Sequence, residues 1–115
     1  MRLLKVGDGA VIAEPLEEAR SFFARGLGLM GRASLPQGRG LLIHGCNGIH
    51  MMFMRFAIDA VFVDKRGRVL KVYESLRPWF SMVPYVHRAD KVAELPAGTV
   101  ARLGIRPGDQ LIVAA

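Results

Sequence analysis

GLLIHGCNGIHMMFMRFAIDAVFVD, residues 40–64, decides how this chain is read. Apolar residues run through it almost without break, and the interruptions are chemically distinctive. They include Cys46, the only cysteine; His44 and His50, two of the three histidines; and one isolated acid, Asp59. Met51, Met52 and Met54 add to its apolar content. Apolar runs with a few polar interruptions mark strands buried in a core. A buried polar group without a partner costs roughly 1–3 kcal/mol, so each interruption requires a partner or a function. Gly45-Cys46-Asn47-Gly48 is turn chemistry and divides the segment into strands over Leu41–His44 and Ile49–Met54.

Toward the C-terminus, Ala60–Asp64 and Val69–Ser75 flank Lys65-Arg66-Gly67-Arg68, a hairpin turn. Pro78 and Pro84, with Trp79, Phe80 and Tyr85 beside them, predict an irregular loop or edge strand. Val92–Leu95 reads as a short strand and Pro96-Ala97-Gly98 turns the chain. Thr99 then caps a short helix ending near Leu103, and Pro107-Gly108-Asp109 leads to a last strand, Gln110–Ala114. Toward the N-terminus, residues 2–13 form two short strands around the Gly7-Asp8-Gly9 turn. Glu14-Pro15 opens the expected principal helix, Pro15–Leu27. Proline suits the first helical position, and Glu17 and Glu18 fall in the first turn, where the positive end of the helix dipole favours them. Leu16, Ala19, Phe23 and Leu27 recur at spacings of three and four, Arg20, Ser21 and Arg25 take the solvent side, and Gly26 or Gly28 closes the helix. Residues 31–40 are a loop rich in breakers. The sum is mainly β: a compact β-sandwich or barrel-like single domain over residues 1–115, with one main N-terminal helix and a short C-terminal helical turn.

A length of 115 residues suffices for a single core, and 51% hydrophobic content excludes general disorder. The formal net charge of +6 invites an anionic partner. Its cations are peppered singly or in pairs, as at Lys65-Arg66 and Arg68, which argues against nucleic acid and leaves a small polar or anionic ligand as the expected guest. One cysteine excludes an internal disulfide and fits a reducing compartment. The opening residues have too short an apolar run for a signal peptide, and no stretch approaches the roughly 18 apolar residues of a bilayer span. The expectation is a cytoplasmic protein with no membrane partner and no identified protein partner.

Four short motifs occur in order: Gly28-Leu29-Met30-Gly31-Arg32, Ile58-Asp59-Ala60-Val61-Phe62-Val63-Asp64, Glu94-Leu95-Pro96-Ala97-Gly98 and Gly104-Ile105-Arg106-Pro107-Gly108-Asp109. In that order and spacing the chain resembles the prokaryotic domain of unknown function family 192 over roughly residues 15–113. The resemblance implies a compact, mainly β domain with a helix near its start and implies no activity. Many family members carry Trp-Met-Lys-Asn-Thr followed by Pro-Leu-Asp. Here His50-Met51-Met52-Phe53-Met54 and Ala57-Ile58-Asp59 stand in their place, so any ligand contact made through those Lys, Asn and Thr side chains is altered.

Cys46 and His50 lie four apart across a turn, so their side chains can meet. A thiolate–imidazole pair is the minimum for nucleophilic catalysis, with Asp59 as a conceivable orienting acid. The plainer reading is a buried thiol beside a hydrogen-bonded imidazole. His44, Cys46 and His50 form H-x-C-x₃-H, which matches no strong zinc signature and lacks a fourth ligand, so neither metal nor cofactor is expected. Asp59 suits a structural role, accepting backbone N–H bonds. Arg32 and Arg55 are candidate anion anchors or partners of Asp59, Trp79 a core plug or pocket wall, and Glu94 a closed buried hydrogen bond. The leading expectation is a small soluble binding or accessory domain with a pocket formed by Cys46, His50, Arg55, Asp59 and Arg32. The alternatives are a hydrolase-like or metal-assisted enzyme using Cys46, His50 and Asp59, and an interaction module for protein or RNA.

Overall fold

The unbroken apolar character of residues 41–43, 60–63 and 92–93 has a simple cause: their strands lie in a sheet covered on both faces. The computed structural model describes residues 1–21, 24–25 and 28–115. Its elements are β1 (Arg2–Lys5), β2 (Val11–Ala13), β3 (Leu16–Ala19), β4 (Gly40–His44), β5 (Ile49–His50), β6 (Ile58–Val63), β7 (Val69–Leu76), β8 (Met82–Val83), β9 (Lys91–Pro96), α1 (Thr99–Leu103) and β10 (Leu111–Ala114). The central sheet has the order β3-β4-β9-β6-β7, with β3 parallel to β4 and the other pairs antiparallel. A three-stranded sheet, β10-β1-β2, and a two-stranded ribbon, β5-β8, complete the architecture. The sheets remain open layers and do not close into a barrel.

Strand alternation assigns each side chain of the central sheet to one of two cores. Leu42, Val61, Val63, Ala93 and Leu95 point toward Leu3, Ile12 and Leu111 of the three-stranded sheet and toward Val100 of α1. Their neighbours Leu41, Ile43, Ala60, Phe62 and Val92 point the other way, onto Leu29, Met51, Met54 and Val83. The register pairs Asp59 with Leu95 and pairs both Leu41 and Ala60 with Glu94. Asp59 therefore belongs to the first face and Glu94 to the second.

The expected principal helix over Pro15–Leu27 is overturned at its start. Leu16–Ala19 is a strand at the edge of the central sheet, pairing in parallel with Gly40–Ile43. Two patterns coincide here: Leu16 and Ala19 are buried and Glu17 and Glu18 half-buried, which also describes one face of a helix. An edge strand tolerates proline just before it and charges along it, the same residues that favour a helix start. Helical bonds occur only later, where Arg25 N–H donates to Ser21 O at 2.9 Å and Gly28 N–H to Ala24 O at 3.0 Å. Phe22, Phe23, Gly26 and Leu27 of the expected helix lie outside the described residues. The expected strand Ile49–Met54 is also shorter, ending at His50, because Met54 N–H bonds back to Met51 O at 3.1 Å and Phe53 takes a left-handed φ of 64°.

The remaining strands fall within two residues of expectation. The C-terminal helix spans Thr99–Leu103, but Gly98 caps it and Thr99 is its first residue, with Oγ1 donating to Pro96 O at 2.7 Å.

Candidate functional site

The second face of the central sheet is incompletely covered where β4 ends. There the turn at residues 45–48, β5, Arg25, residues 28–30 and the side chain of Glu94 enclose a cleft of about 230 Å³. Leu29, Ile43, Ile49 and Met54 make its apolar wall, and Cys46, His50, Arg25 and Glu94 bring the polar groups. Two glycines allow this local crowding. Gly45 has a left-handed φ of 64°, and a Cβ there would come within 2.6 Å of the Arg25 guanidinium. A Cβ on Gly48 would meet Pro84 O at 2.6 Å, so only glycine lets β5 lie this close to β8.

Arg25 pins the turn from outside, its Nη1 donating to His44 O at 3.4 Å and Gly45 O at 3.3 Å. Its Nε is buried and finds no partner among the described residues. Cys46 is held by its backbone N–H on Asp90 O at 3.0 Å, and its half-buried thiol donates to Gly48 O at 3.0 Å. Burial pushes the thiol upward from its ordinary value, and the nearby Glu94 charge adds to the effect against the opposing charge of Arg25. At neutral pH Cys46 is therefore a thiol, not an activated thiolate. His50 is exposed at the mouth and pairs with Met82 across the ribbon. Beyond the 45–50 segment, Met82, Val83 and Pro84 line a shallower depression that shares Cys46 and His50.

Glu94 is the unusual member. It is 4% exposed, and burial raises its carboxyl to about 7, with only the charge of Arg32 pulling the other way. Oε1 has no hydrogen-bond partner among the described residues, in place of the closed bond expected for it. A Cβ on Gly28 would sit 3.5 Å from that oxygen, so bare backbone packs over the carboxyl.

Cys46 and His50 are thus brought to one cleft, and the other expected site residues are not. Asp59, fully buried on the opposite face, accepts Ser75 N–H on Oδ1 at 2.8 Å, and Gly98 N–H at 3.1 Å and Val100 N–H at 2.9 Å on Oδ2. The sheet separates it from the Cys46–His50 pair. Arg32 is engaged in a two-pronged pair with Glu17 at 2.8 and 3.1 Å. Arg55 is exposed and outside the cleft lining, and His44 contacts Glu18 at 2.9 Å. No group of three His, Cys, Asp or Glu side chains among the described residues is arranged to hold a metal. Glu94 and Arg25 are the cleft residues that the sequence reading missed. Glu94 left a signal as the single charge inside an apolar strand, but its face follows only from the register.

Trp79 proves neither plug nor wall. It is 53% exposed and packs edge-on against Phe53, with ring centroids 5.0 Å apart. Met52, Phe80, Met82 and Tyr85, near it in sequence, are exposed apolar residues as well.

Fold and site together define a mainly β domain built on a doubly covered five-stranded sheet, with a small cleft on one face. The chain belongs to domain of unknown function family 192, described as "Uncharacterized ACR", whose profile matches residues 4–113. A UPF0127 protein of Pyrococcus furiosus is 32% identical over 116 residues, 95% of each chain. The crystal structure of a protein of unknown function from Novosphingobium aromaticivorans matches with a TM-score of 0.86 at 26% identity, covering 98% of this chain and 84% of that one. A Sinorhizobium meliloti structure, provisionally named a transcription regulator, matches with a TM-score of 0.85 at 27% identity, covering 96% and 91%.

Proposed function

We propose that this protein binds a small polar molecule in the cleft between Cys46, His50 and Glu94. One observation carries the reading: a carboxyl buried to 4% exposure has an oxygen without a hydrogen-bond partner among the described residues, in the wall of a cleft of ligand size. An unsatisfied buried acceptor costs on the order of 1–3 kcal/mol, which a guest presenting an N–H or O–H donor recovers. The apolar wall asks for an aliphatic or aromatic body behind that donor. An anionic group suits the Glu94 end of this cleft poorly, because Glu94 ionises near neutrality and would repel it there.

Binding fits the site better than the enzyme alternatives. The thiol of Cys46 is raised and donates its proton to a carbonyl, the reverse of an activated nucleophile. Asp59 lies across the sheet and cannot orient His50. A ligand-observed NMR screen of small amides, amines, alcohols and carboxylates tests the proposal. Amides or alcohols should bind, shift the amides of residues 45–50, and lose affinity in Glu94→Leu. Hits confined to carboxylates, or unaffected by Glu94→Leu, would remove it.

A second reading, docking of an acidic protein surface, has its own observation in the exposed patch. Phe80 is 82% exposed beneath the Arg77 guanidinium, Arg55 and Arg88 flank the patch in sequence, and no acid occurs between Arg77 and Ala89. Trp79, the only tryptophan, makes the test direct. An acidic, leucine-bearing peptide should shift its emission to the blue, and Phe80→Asp should abolish the shift. An unchanged spectrum removes this reading.

A further inference from the structure

The central and three-stranded sheets meet over another cleft, of about 290 Å³, which shares no lining residue with the one above. Its floor is apolar, made by Leu3, Leu42 and Leu111 among others, and exposed Ile112 and Val113 form one wall. Lys65, Arg66 and Lys91 stand at its mouth. A shallow depression adjoins it, sharing Lys65 and Arg66 and adding Asp64 and Arg88.

The charges here are unbalanced in a specific way. Lys91 is paired with Asp90 at 2.8 Å, whereas Lys65, Arg66 and Arg88 have no carboxylate partner among the described residues. The acid that lines the depression, Asp64, has Oδ1 occupied by the backbone N–H groups of Arg66 and Arg68, at 2.9 and 3.0 Å. Those bonds fix the turn, as does Gly67, whose O accepts Leu111 N–H at 2.9 Å. Gln110 Nε2 also donates to Arg66 O. The backbone under Lys65 and Arg66 is therefore held while their side chains remain free at the mouth.

We propose that this cleft binds an amphiphilic anion: a single alkyl or acyl chain against Leu3, Leu42 and Leu111, and a carboxylate or phosphate head on Lys65, Arg66 and Arg88. At about 30 Å³ for each water molecule of the liquid, the cleft of about 290 Å³ has room for a short chain. Free cations above an apolar floor favour a guest that carries both characters, because the chain gains from burial and the head from charge-assisted hydrogen bonds. The site is independent of the Glu94 cleft, with which it shares no lining residue.

The test uses the full chain, with decanoate and decyl phosphate kept below micelle-forming concentrations and binding followed by calorimetry and by backbone amide shifts. Both probes should bind, with shifts confined to residues 3, 42, 65–67, 88, 91 and 111–113. Acetate should not bind, and decanol should bind at least about tenfold more weakly. Arg66→Glu and Ile112→Asp, both at exposed positions, should each weaken decanoate by at least about tenfold with an unchanged circular dichroism spectrum. Tighter binding of decyl phosphate assigns the head as phosphate, and tighter binding of decanoate assigns it as carboxylate. No binding by either probe, unchanged affinity in Arg66→Glu, or shifts at residues 45–50 instead would overturn the proposal.

Discussion

Two carboxylates are buried in the central sheet, one on each face, and their surroundings could hardly differ more. Asp59 receives three backbone N–H groups, from the end of β7 and the start of α1. Glu94, one strand away, has an oxygen with no donor among the described residues and a cleft beside it. Burial alone says little about the role of an acid; what satisfies its oxygens says much more. A fully bonded carboxylate is a fastener between elements. An unsatisfied one beside open space is kept at a cost to stability and marks a candidate site.

The largest effect expected from this contrast is at Asp59. Asp59→Ala strands the N–H groups of Ser75, Gly98 and Val100, and should lower unfolding free energy by on the order of 3–5 kcal/mol in urea titration. Asp59→Asn keeps the shape but loses the charge, and should cost about 1–2 kcal/mol. A loss below about 0.5 kcal/mol for Asp59→Ala would break the comparison, since it would make Asp59 no fastener at all.

Glu94 should make stability depend on pH. Its folded carboxyl ionises at about 7 against 4.5 for the ordinary group, so the folded state holds a proton that the unfolded state has released. Stability from this group is complete below pH 4.5 and is lost as pH rises toward 7 and beyond. At 1.36 kcal/mol per pH unit the loss is about 3 kcal/mol. Urea midpoints at pH 5 and pH 8 should therefore differ in the wild type and converge in Glu94→Gln. The Arg32–Glu17 pair comes next: it is about two-fifths exposed on both sides, and Arg32→Ala should cost under about 1 kcal/mol. Smallest is Phe80→Asp, which should leave the unfolding midpoint within about 0.5 kcal/mol of the wild type, because the ring is almost wholly in solvent.

Most of the sheet was legible in the sequence, for a physical reason. Strands buried on both faces, such as β4, β6 and β9, read as apolar runs bounded by Gly, Pro or charged turns, and little competes with that signal. The edge strand β3 was misread because Leu16-Glu17-Glu18-Ala19 satisfies a helical spacing as well as a half-exposed strand, and its long-range pairing with Gly40–Ile43 leaves no local trace. Half of the cleft was legible too. Cys46 and His50 were drawn together by the glycine-rich turn between them, a local feature. Glu94 was not, because its orientation depends on strand register, and Arg25 takes the solvent side in the expected helix. Asp59 accepts three backbone N–H groups, yet its face, which separates it from Cys46, emerges only from the pairing of β6 with β9.

The ionisation of Glu94 itself is the most direct measure of whether the two acids differ as described. Carboxyl carbon shifts of ¹³C-glutamate-labelled protein, assigned with Glu94→Gln, follow that single group through pH. A midpoint near 7 is the predicted result, moving when an amide or alcohol found to bind occupies the cleft. A midpoint near 4.5, indifferent to such guests, would mean that the Glu94 carboxyl is as well solvated or as well bonded as any ordinary one, and would contradict the account.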